Sequence, residues 1–489
     1  AAGLLAMSGA QAADLPVKAK AVEYVRICSL YGAGFYYIPG TDTCIKIGGY
    51  LRVETAFNAS GMYTGGTVAG NYGQENRNRN YFLTRSREDL NIDTRTATEY
   101  GVVRTYWDAT FSWTSANNQA AGTFGNAGIA GSDTIGVYHA FIQFAGFTMG
   151  KTISQFDAPW SNYPANNFDG LVGGSGDVTG VNQLTYTAQF GNGVSGILSA
   201  QEQYAYYQSN LYNTSGITSA SPFTGSYGTQ SLGGVVAPDL VGVLKVDQAW
   251  GLAQLSVAAH DNHANYYNQA NETSGHPDDK WGWAIQGSLG IKNIPTGPGD
   301  TLNVQAAYAE GAARYVFQSL ATQNYAMFGG TGLAGAYQSI GFAGVSDAVF
   351  NGTTASALNA TQLQLTTTYG FRGGFNHNWD PYWSSSIYGA WAVNKYNGTA
   401  KALICANIGL LLTAGSTCNP DFQIWQAGFV TRWTPVKNLT FSADVLWANL
   451  DQKYSGAIAL PAVATKPAAT YELKDQNTVS VLFRAQRNW

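Results

Sequence analysis

Polar and apolar residues alternate along most of this chain with a period of two, most plainly where the chain is most charged. Between positions 83 and 95 the odd sites carry Leu83, Arg85, Arg87, Asp89, Asn91, Asp93 and Arg95. The even sites carry Thr84, Ser86, Glu88, Leu90, Ile92 and Thr94. After a turn-like stretch at 96–100 the rule resumes with opposite parity. Val103, Thr105, Trp107, Ala109 and Phe111 share one face, while Arg104, Tyr106 and Asp108 share the other. Side chains alternate faces along a strand, so the segment predicts a β-hairpin with one charged and one apolar surface. A soluble sandwich would bury the apolar face, whereas a membrane barrel would turn it to lipid and line a lumen with the charges.

The same period marks strands at 45–56, 135–143, 147–155, 183–190 and onward to about 203, 240–248, 252–260, 281–291, 301–309, 363–376, 382–394, 422–433, 439–449 and 478–489. Short turns join them in pairs, as at Ala145-Gly146, Gly191-Asn192-Gly193 and Ala249-Trp250-Gly251, and long polar loops join the pairs. The count is about sixteen, with short turns at one end and long loops at the other, as bacterial barrels are built. Trp250, Trp281, Trp379, Tyr382, Trp383 and Trp433 crowd the strand ends, where an interfacial girdle belongs. One stretch, 156–180, lacks any period. It carries Asp157, Asp169 and Asp177 among Phe156, Trp160, Tyr163, Phe168, Leu171 and Val172, too apolar for a solvated tip.

Composition moves the choice toward the membrane. A chain of 489 residues would make about three soluble domains. Yet charged residues are 11%, against the roughly 25% of a soluble protein, and aromatics reach 13%. Mean hydropathy is only −0.13, and no run of ~18 apolar residues offers a spanning helix. The expected fold is therefore all-β: a transmembrane antiparallel barrel over 45–489, with short periplasmic turns and long extracellular loops. A net charge of −4 does not point to nucleic acid.

Residues 1–12 end in Ala10-Gln11-Ala12 and read as a signal-peptide remnant with cleavage before Ala13. Export suits the cysteines. Cys28 with Cys44, and Cys405 with Cys418, are spaced as two local disulfides of an oxidising compartment. Each is worth on the order of 3 kcal/mol in a chain-entropy account. Neither the cysteines nor His139, His260, His263, His276 and His377 show metal-ligand spacing. No Ser or Asp is phased beside a rim histidine as a barrel enzyme would need, so neither catalysis nor a cofactor is expected. At the other end Val479, Val481, Phe483, Ala485, Arg487 and Trp489 alternate with polar residues. That series, closing on Phe483 and Trp489, resembles the C-terminal signature by which outer-membrane barrels are recognised for assembly.

Two stretches carry a family resemblance. ADLPVKAKAVEYVRICSLYGAGFYYIPGTDTCIKIGGYLR, residues 13–52, resembles the amino-terminal signature of alphaproteobacterial general porins. HAFIQFAGFTMGKTISQFDAPW, residues 139–160, is similar to the strand that leads into that family's pore-constricting third loop. The resemblance implies a homotrimer of sixteen-stranded barrels in the bacterial outer membrane, each a passive, water-filled channel for small hydrophilic solutes and ions. Its partners would be outer-membrane lipid and lipopolysaccharide, the barrel assembly machinery and the solutes, not nucleic acid. Loops at 311–360 and 395–421 are longer than the family pattern, and the Cys405/Cys418 pair is additional.

Selectivity in such a channel comes from charge and width. Arg52, Arg85 and Arg87 fall near mid-barrel by strand rise, with Arg104, Lys46 and Arg95 toward the periplasmic end. They form an expected basic wall, or are paired with Glu54, Asp89 and Asp108. Asp157, Asp169 and Asp177 would face that wall from an inward-folded loop, or else solvate a surface loop. A sugar- or anion-selective channel and a surface-exposed β-rich adhesin or lectin are the other readings.

Overall fold

A computed structural model describes residues 26–489 apart from 60–74, 78–80, 115–131, 204–206, 217–228, 322, 353–359 and 463–465. The signal-peptide reading of 1–12 and the chain to residue 25 lie outside the described residues.

Sixteen antiparallel strands close into one barrel. In order they are β1 (Cys44–Phe57), β2 (Phe82–Thr98), β3 (Gly101–Thr114), β4 (Ser132–Phe144), β5 (Phe147–Thr152), β6 (Val181–Gly191), β7 (Val194–Gln201) and β8 (Asp239–Gln248). There follow β9 (Gly251–Asn262), β10 (Lys280–Lys292), β11 (Thr301–Glu310), β12 (Thr367–Asn378), β13 (Trp383–Lys395), β14 (Phe422–Val436), β15 (Leu439–Gln452) and β16 (Gln476–Asn488). Each strand pairs with its sequence neighbours, and the seam pairs β1 with β16 from Tyr50↔Asn488 to Phe57↔Val481. Closure removes the edges that hydrocarbon would leave without hydrogen-bond partners. Period-two alternation decides which side faces out: Leu51, Val53, Leu184, Leu255, Phe371 and Phe429 are exposed, whereas Glu54, Gln254, Arg372 and Asp444 are buried inside. The aromatic residues at the strand ends, Trp250, Trp281, Trp379, Tyr382, Trp383 and Trp433, are also exposed.

Two strands are shorter than the alternation suggests. β5 stops at Thr152, where the chain turns into the lumen. β12 starts at Thr367, because Gln364–Leu365 pairs instead with Ser346–Phe350 outside the barrel. Asp108 pairs with His139 but Ala109 with Val137, so Tyr138 is an extra residue in β4.

The long loops are not the polar rim expected from their composition. They fold into a cap with two small sheets. One joins Asn210–Asn213, Thr229–Gln230, Ser346–Phe350 and Gln364–Leu365; the other joins Asn324–Gly329, Gln338–Gly344, Ala457–Leu460 and Ala469–Leu473. A helix, α1 (Gly398–Ile408), lies between β13 and β14, its start capped by Asn397, whose side-chain oxygen accepts from the Ala400 amide at 2.9 Å. The Cys405–Cys418 disulfide ties this helix to the chain leading into β14. Ile340, Phe342, Ile404, Ile458 and Tyr471 form a core of the cap's own. The apolar residues responsible are scattered one or two per loop, so each loop alone reads as polar. At the opposite, short-turn end the Cys28–Cys44 disulfide closes around Phe35, and Arg95 lies over the Phe35 ring at 4.9 Å.

Replacing Ile404 by Ala should remove about 2–4 kcal/mol of local packing from the cap while leaving the barrel intact. Limited proteolysis of folded protein should then cut within 396–421 faster, with the barrel still resisting heat in detergent. An unchanged cleavage rate would mean the cap does not depend on this core.

Candidate functional site

The inward positions of β9 to β15 alternate small residues with amides and isolated charges, and these meet the backbone of the 156–180 loop. Irregular chain inside a barrel presents peptide groups that need partners. Arg372 on β12 donates to Leu171 O at 2.9 Å, to Ser161 O at 2.7 Å and to Ser175 O. Gln426 accepts from the Val172 amide at 2.9 Å and Gln286 from the Ser175 amide at 2.9 Å. Asp444 accepts from the Asn167 and Phe168 amides at 2.7 and 3.2 Å. Phe156, Phe168, Leu171 and Val172 are buried against the same wall. Gly173, at φ +87°, passes so close to β12 that an added Cβ would lie 2.2 Å from Phe371 O, which excludes any larger residue.

A second segment enters the lumen from the loop between β11 and β12, which the sequence reading assigns to the extracellular rim. The Gly173 and Gly174 amides donate to Val316 O at 2.9 and 3.0 Å, and Gln318 donates to the Asn162 side chain at 2.6 Å. The Tyr315 ring lies 4.5 Å from Phe156 and 4.6 Å from Tyr207. A buried imidazole holds the base of this segment. His260 Nδ1 lies 2.8 Å from Asp239 and its Nε2 3.6 Å from Asp347. The Tyr315 hydroxyl donates to Asp239, and the Ala313 amide to Asp347, both at 2.5 Å.

Together these segments fill the lumen beside β9 to β15 and leave a cavity of about 420 Å³ beside β1 to β4. Arg52, Arg85, Arg87, Asp89, Asp108 and Tyr138 line its wall side; Tyr163, Asp169, Val178, Thr179 and Leu320 line the other. Within the wall, Glu54 is buried between two guanidinium groups. Arg85 Nε donates to it at 2.6 Å, and Arg484, from the last strand, does so at 2.6 Å. Arg52 and Arg87 are register partners on β1 and β2. Their Nε groups donate to Gln486 and Ser112, each at 2.8 Å.

The other expected wall residues lie toward the short turns, away from the cavity. Arg95 and Arg104 converge on Asp93 at 2.8 and 3.0 Å. Lys46 is exposed beside the Phe35 ring. Of the three loop aspartates, Asp169 lines the cavity and accepts from the Tyr163 hydroxyl at 2.5 Å. Asp157 and Asp177 do not face the arginines. Asp157 accepts from Ser175, from Tyr207 at 3.2 Å and from the Asp177 amide at 2.5 Å, all within the packed side of the loop. Gln254 on β9 donates to the Phe156 and Asp157 carbonyls, Gln286 on β10 accepts from the Ser175 amide, and both carboxyls are buried. Phe483 and Trp489 point outward and are exposed, and the Trp489 amide donates to Gly49 O at 3.1 Å across the seam. Sequence reasoning missed Gln286, Gln426, Asp444, the 312–321 segment, and Gln305, which accepts from the Trp160 indole at 2.7 Å and donates to Ser175 O at 3.2 Å. The available signal was an amide or charge at an inward position facing no partner on its own strand.

Comparison with known proteins agrees with this architecture. The family profile described as Porin subfamily matches residues 14–482. Porin Omp2a of Brucella ovis is 32% identical over 343 residues, which cover 66% of this chain and 92% of that protein. Porin Omp2b of Brucella neotomae is 30% identical over 324 residues, covering 63% of this chain and 82% of that protein. Among solved structures, the outer membrane channel DcaP of Acinetobacter baumannii shares the fold at a TM-score of 0.59 and 14% identity, with 93% of this chain and 99% of that chain covered.

Two expectations follow from the buried charges. Glu54→Ala strips the shared counter-charge from Arg85 and Arg484, and should cost about 3–5 kcal/mol in urea unfolding from lipid vesicles. A loss below about 1 kcal/mol would place the pair in high dielectric. The second concerns pH. Burial, and after it the Asp157 carboxylate, push the Asp177 carboxyl up to about 8. The fold holds this acid neutral, so loop stability falls as pH rises from the ordinary carboxylate range through about 8. Hydrogen-exchange protection over 157–177, corrected for intrinsic rates, should drop between about pH 5 and 8, level off above that, and stay flat in Asp177→Asn. Equal drops in both proteins would clear Asp177.

Proposed function

The chain belongs to the porin subfamily, and we propose that its solute path runs between the Arg52, Arg85 and Arg87 wall and the inner face of the 156–180 loop. As a porin it is a channel of the bacterial outer membrane, a multi-pass β-barrel through which small hydrophilic solutes and ions diffuse passively, and not an enzyme. One observation carries the finer reading. The loop is bonded to one wall of the lumen and the charged cavity remains on the other. Opposed charges across a narrow aqueous gap set selectivity only where the gap is comparable with the ~8 Å screening length. Asp169 supplies the acidic side; Arg52 and Arg87 supply most of the basic side, with Arg85 beside them sharing Glu54 with Arg484.

The assembled form is a trimer on this reading. The outer face over β16 to β3 carries Glu88 between Leu51 and Phe111, with Thr55, Ser86, Thr94 and Thr105 nearby. A carboxylate at that depth is unfavourable against lipid, and a second copy would cover it. The remaining outer wall contacts outer-membrane lipid and lipopolysaccharide, and the outward Phe483 and Trp489 on the last strand serve the barrel assembly machinery.

Refolded protein in a planar bilayer should give ohmic conductance in groups of three steps. In a salt gradient, Arg85→Gln with Arg87→Gln should move the reversal potential toward cation preference, and Asp169→Asn toward anion preference. Asp157→Asn should leave it in place. A shift with Asp157→Asn equal to that with Asp169→Asn would refute this assignment of the acidic side.

A further inference from the structure

We infer that the cavity beside β1 to β4 is a binding subsite for a small carboxylate with an apolar body, held at its charged end by Arg52 and Arg87. This rests on the channel reading and names the solute class that the site retains.

Other lumen arginines are engaged by protein groups: Arg85 and Arg484 by Glu54, Arg372 by three carbonyls, and Arg432 by Ala165 O at 2.6 Å. Arg52 and Arg87 differ. Among the described residues neither has a carboxylate within ion-pair distance. Each uses Nε to hold its plane, through Gln486 and Ser112, which leaves the outer edge of the guanidinium toward the cavity. The Tyr50 hydroxyl also bonds Arg87. Tyr50 underlies Arg52 at 4.5 Å, and Tyr138, the extra residue of β4, underlies Arg87 at 5.8 Å.

Two like charges placed directly opposite on neighbouring strands are unfavourable unless an anion sits between them. Asp89 lies one inward position from Arg87 toward the periplasm, where it bonds Asn91 and Asp108, and Glu54, one inward position from Arg52, is taken by Arg85 and Arg484. A planar carboxylate matches two guanidinium edges in a way that a spherical halide cannot. The facing side offers apolar surface beside one acid: Val178 and the Tyr163 ring come from the loop and Leu320 from the second inward segment, while Asp169 is held by the Tyr163 hydroxyl. A volume of about 420 Å³ accepts a ring or short chain besides the carboxylate. Leu320 is therefore a specificity-determining residue contributed from outside the 156–180 loop.

Single-channel current in potassium chloride, with benzoate, acetate or benzyl alcohol added, tests this. Benzoate should reduce the current reversibly at a half-block concentration about tenfold below that of acetate, and benzyl alcohol should not block. Arg87→Gln, or Arg52→Gln if that variant folds better, should raise the benzoate value at least about fivefold. Leu320→Asn should erase the preference for benzoate over acetate without moving acetate. Equal block by benzoate and acetate in the unaltered protein, or benzoate block indifferent to loss of Arg87 or Arg52, would overturn the subsite. Absence of any current in potassium chloride alone would instead overturn the channel reading itself.

Discussion

Hydrocarbon offers no partner to a peptide group, so a spanning sheet must close on itself, and here closure depends on pairing β1 with β16. That seam does more than remove two edges. It brings Arg484 to Glu54 across 430 residues of chain and aligns Arg52 with Gln486. The charged wall is thus completed only when the last strand docks. Before that, Glu54 has a partner only in Arg85, and neither is yet surrounded by the protein that makes their pairing strong.

Closing sixteen strands creates a second problem, since such a ring is wider than its own side chains can fill. The lumen beside β9 to β15 is occupied by irregular chain, and irregular chain brings unpaired amides and carbonyls. The wall answers with groups that donate or accept along the lumen rather than along the strand. Arg372 satisfies three carbonyls, Gln426 and Gln286 each take an amide, and Asp444 takes two. These residues look like pore-lining polar positions in sequence, yet they are buried and hold the constriction in place.

This accounts for how much was legible in the chain. Period two located every barrel strand, because a residue's side of the sheet is decided by its parity and by nothing distant. The disulfides and the inward turn after β5 were also legible, the latter because Phe156, Phe168, Leu171 and Val172 had no strand to belong to. What escaped was decided by pairing between distant loops. The cap core draws Ile340 and Ile458 from different loops that are individually polar. Tyr315 enters the lumen only because His260, Asp239 and Asp347 converge beneath it, and these lie on three separate segments. Asp157 and Asp177 looked equivalent to Asp169 in sequence, since their burial depends on which wall the loop chooses.

Charge counted along a wall is consequently a poor guide to the field that a solute meets. The first strands carry an evident arginine excess, but Arg95 and Arg104 share Asp93, and Arg85 shares Glu54 with Arg484. Such pairs hold the wall rigid and contribute little beyond a few ångströms. The field in the cavity is then governed by the groups whose partners are neutral: Arg52 and Arg87 held by an amide and a hydroxyl, facing Asp169 held by a tyrosine hydroxyl. A substitution far from the water can alter selectivity by changing which arginine is engaged. Loss of Glu54 would release Arg85 toward the cavity and strengthen its positive side, although Glu54 is itself buried and touches no solute.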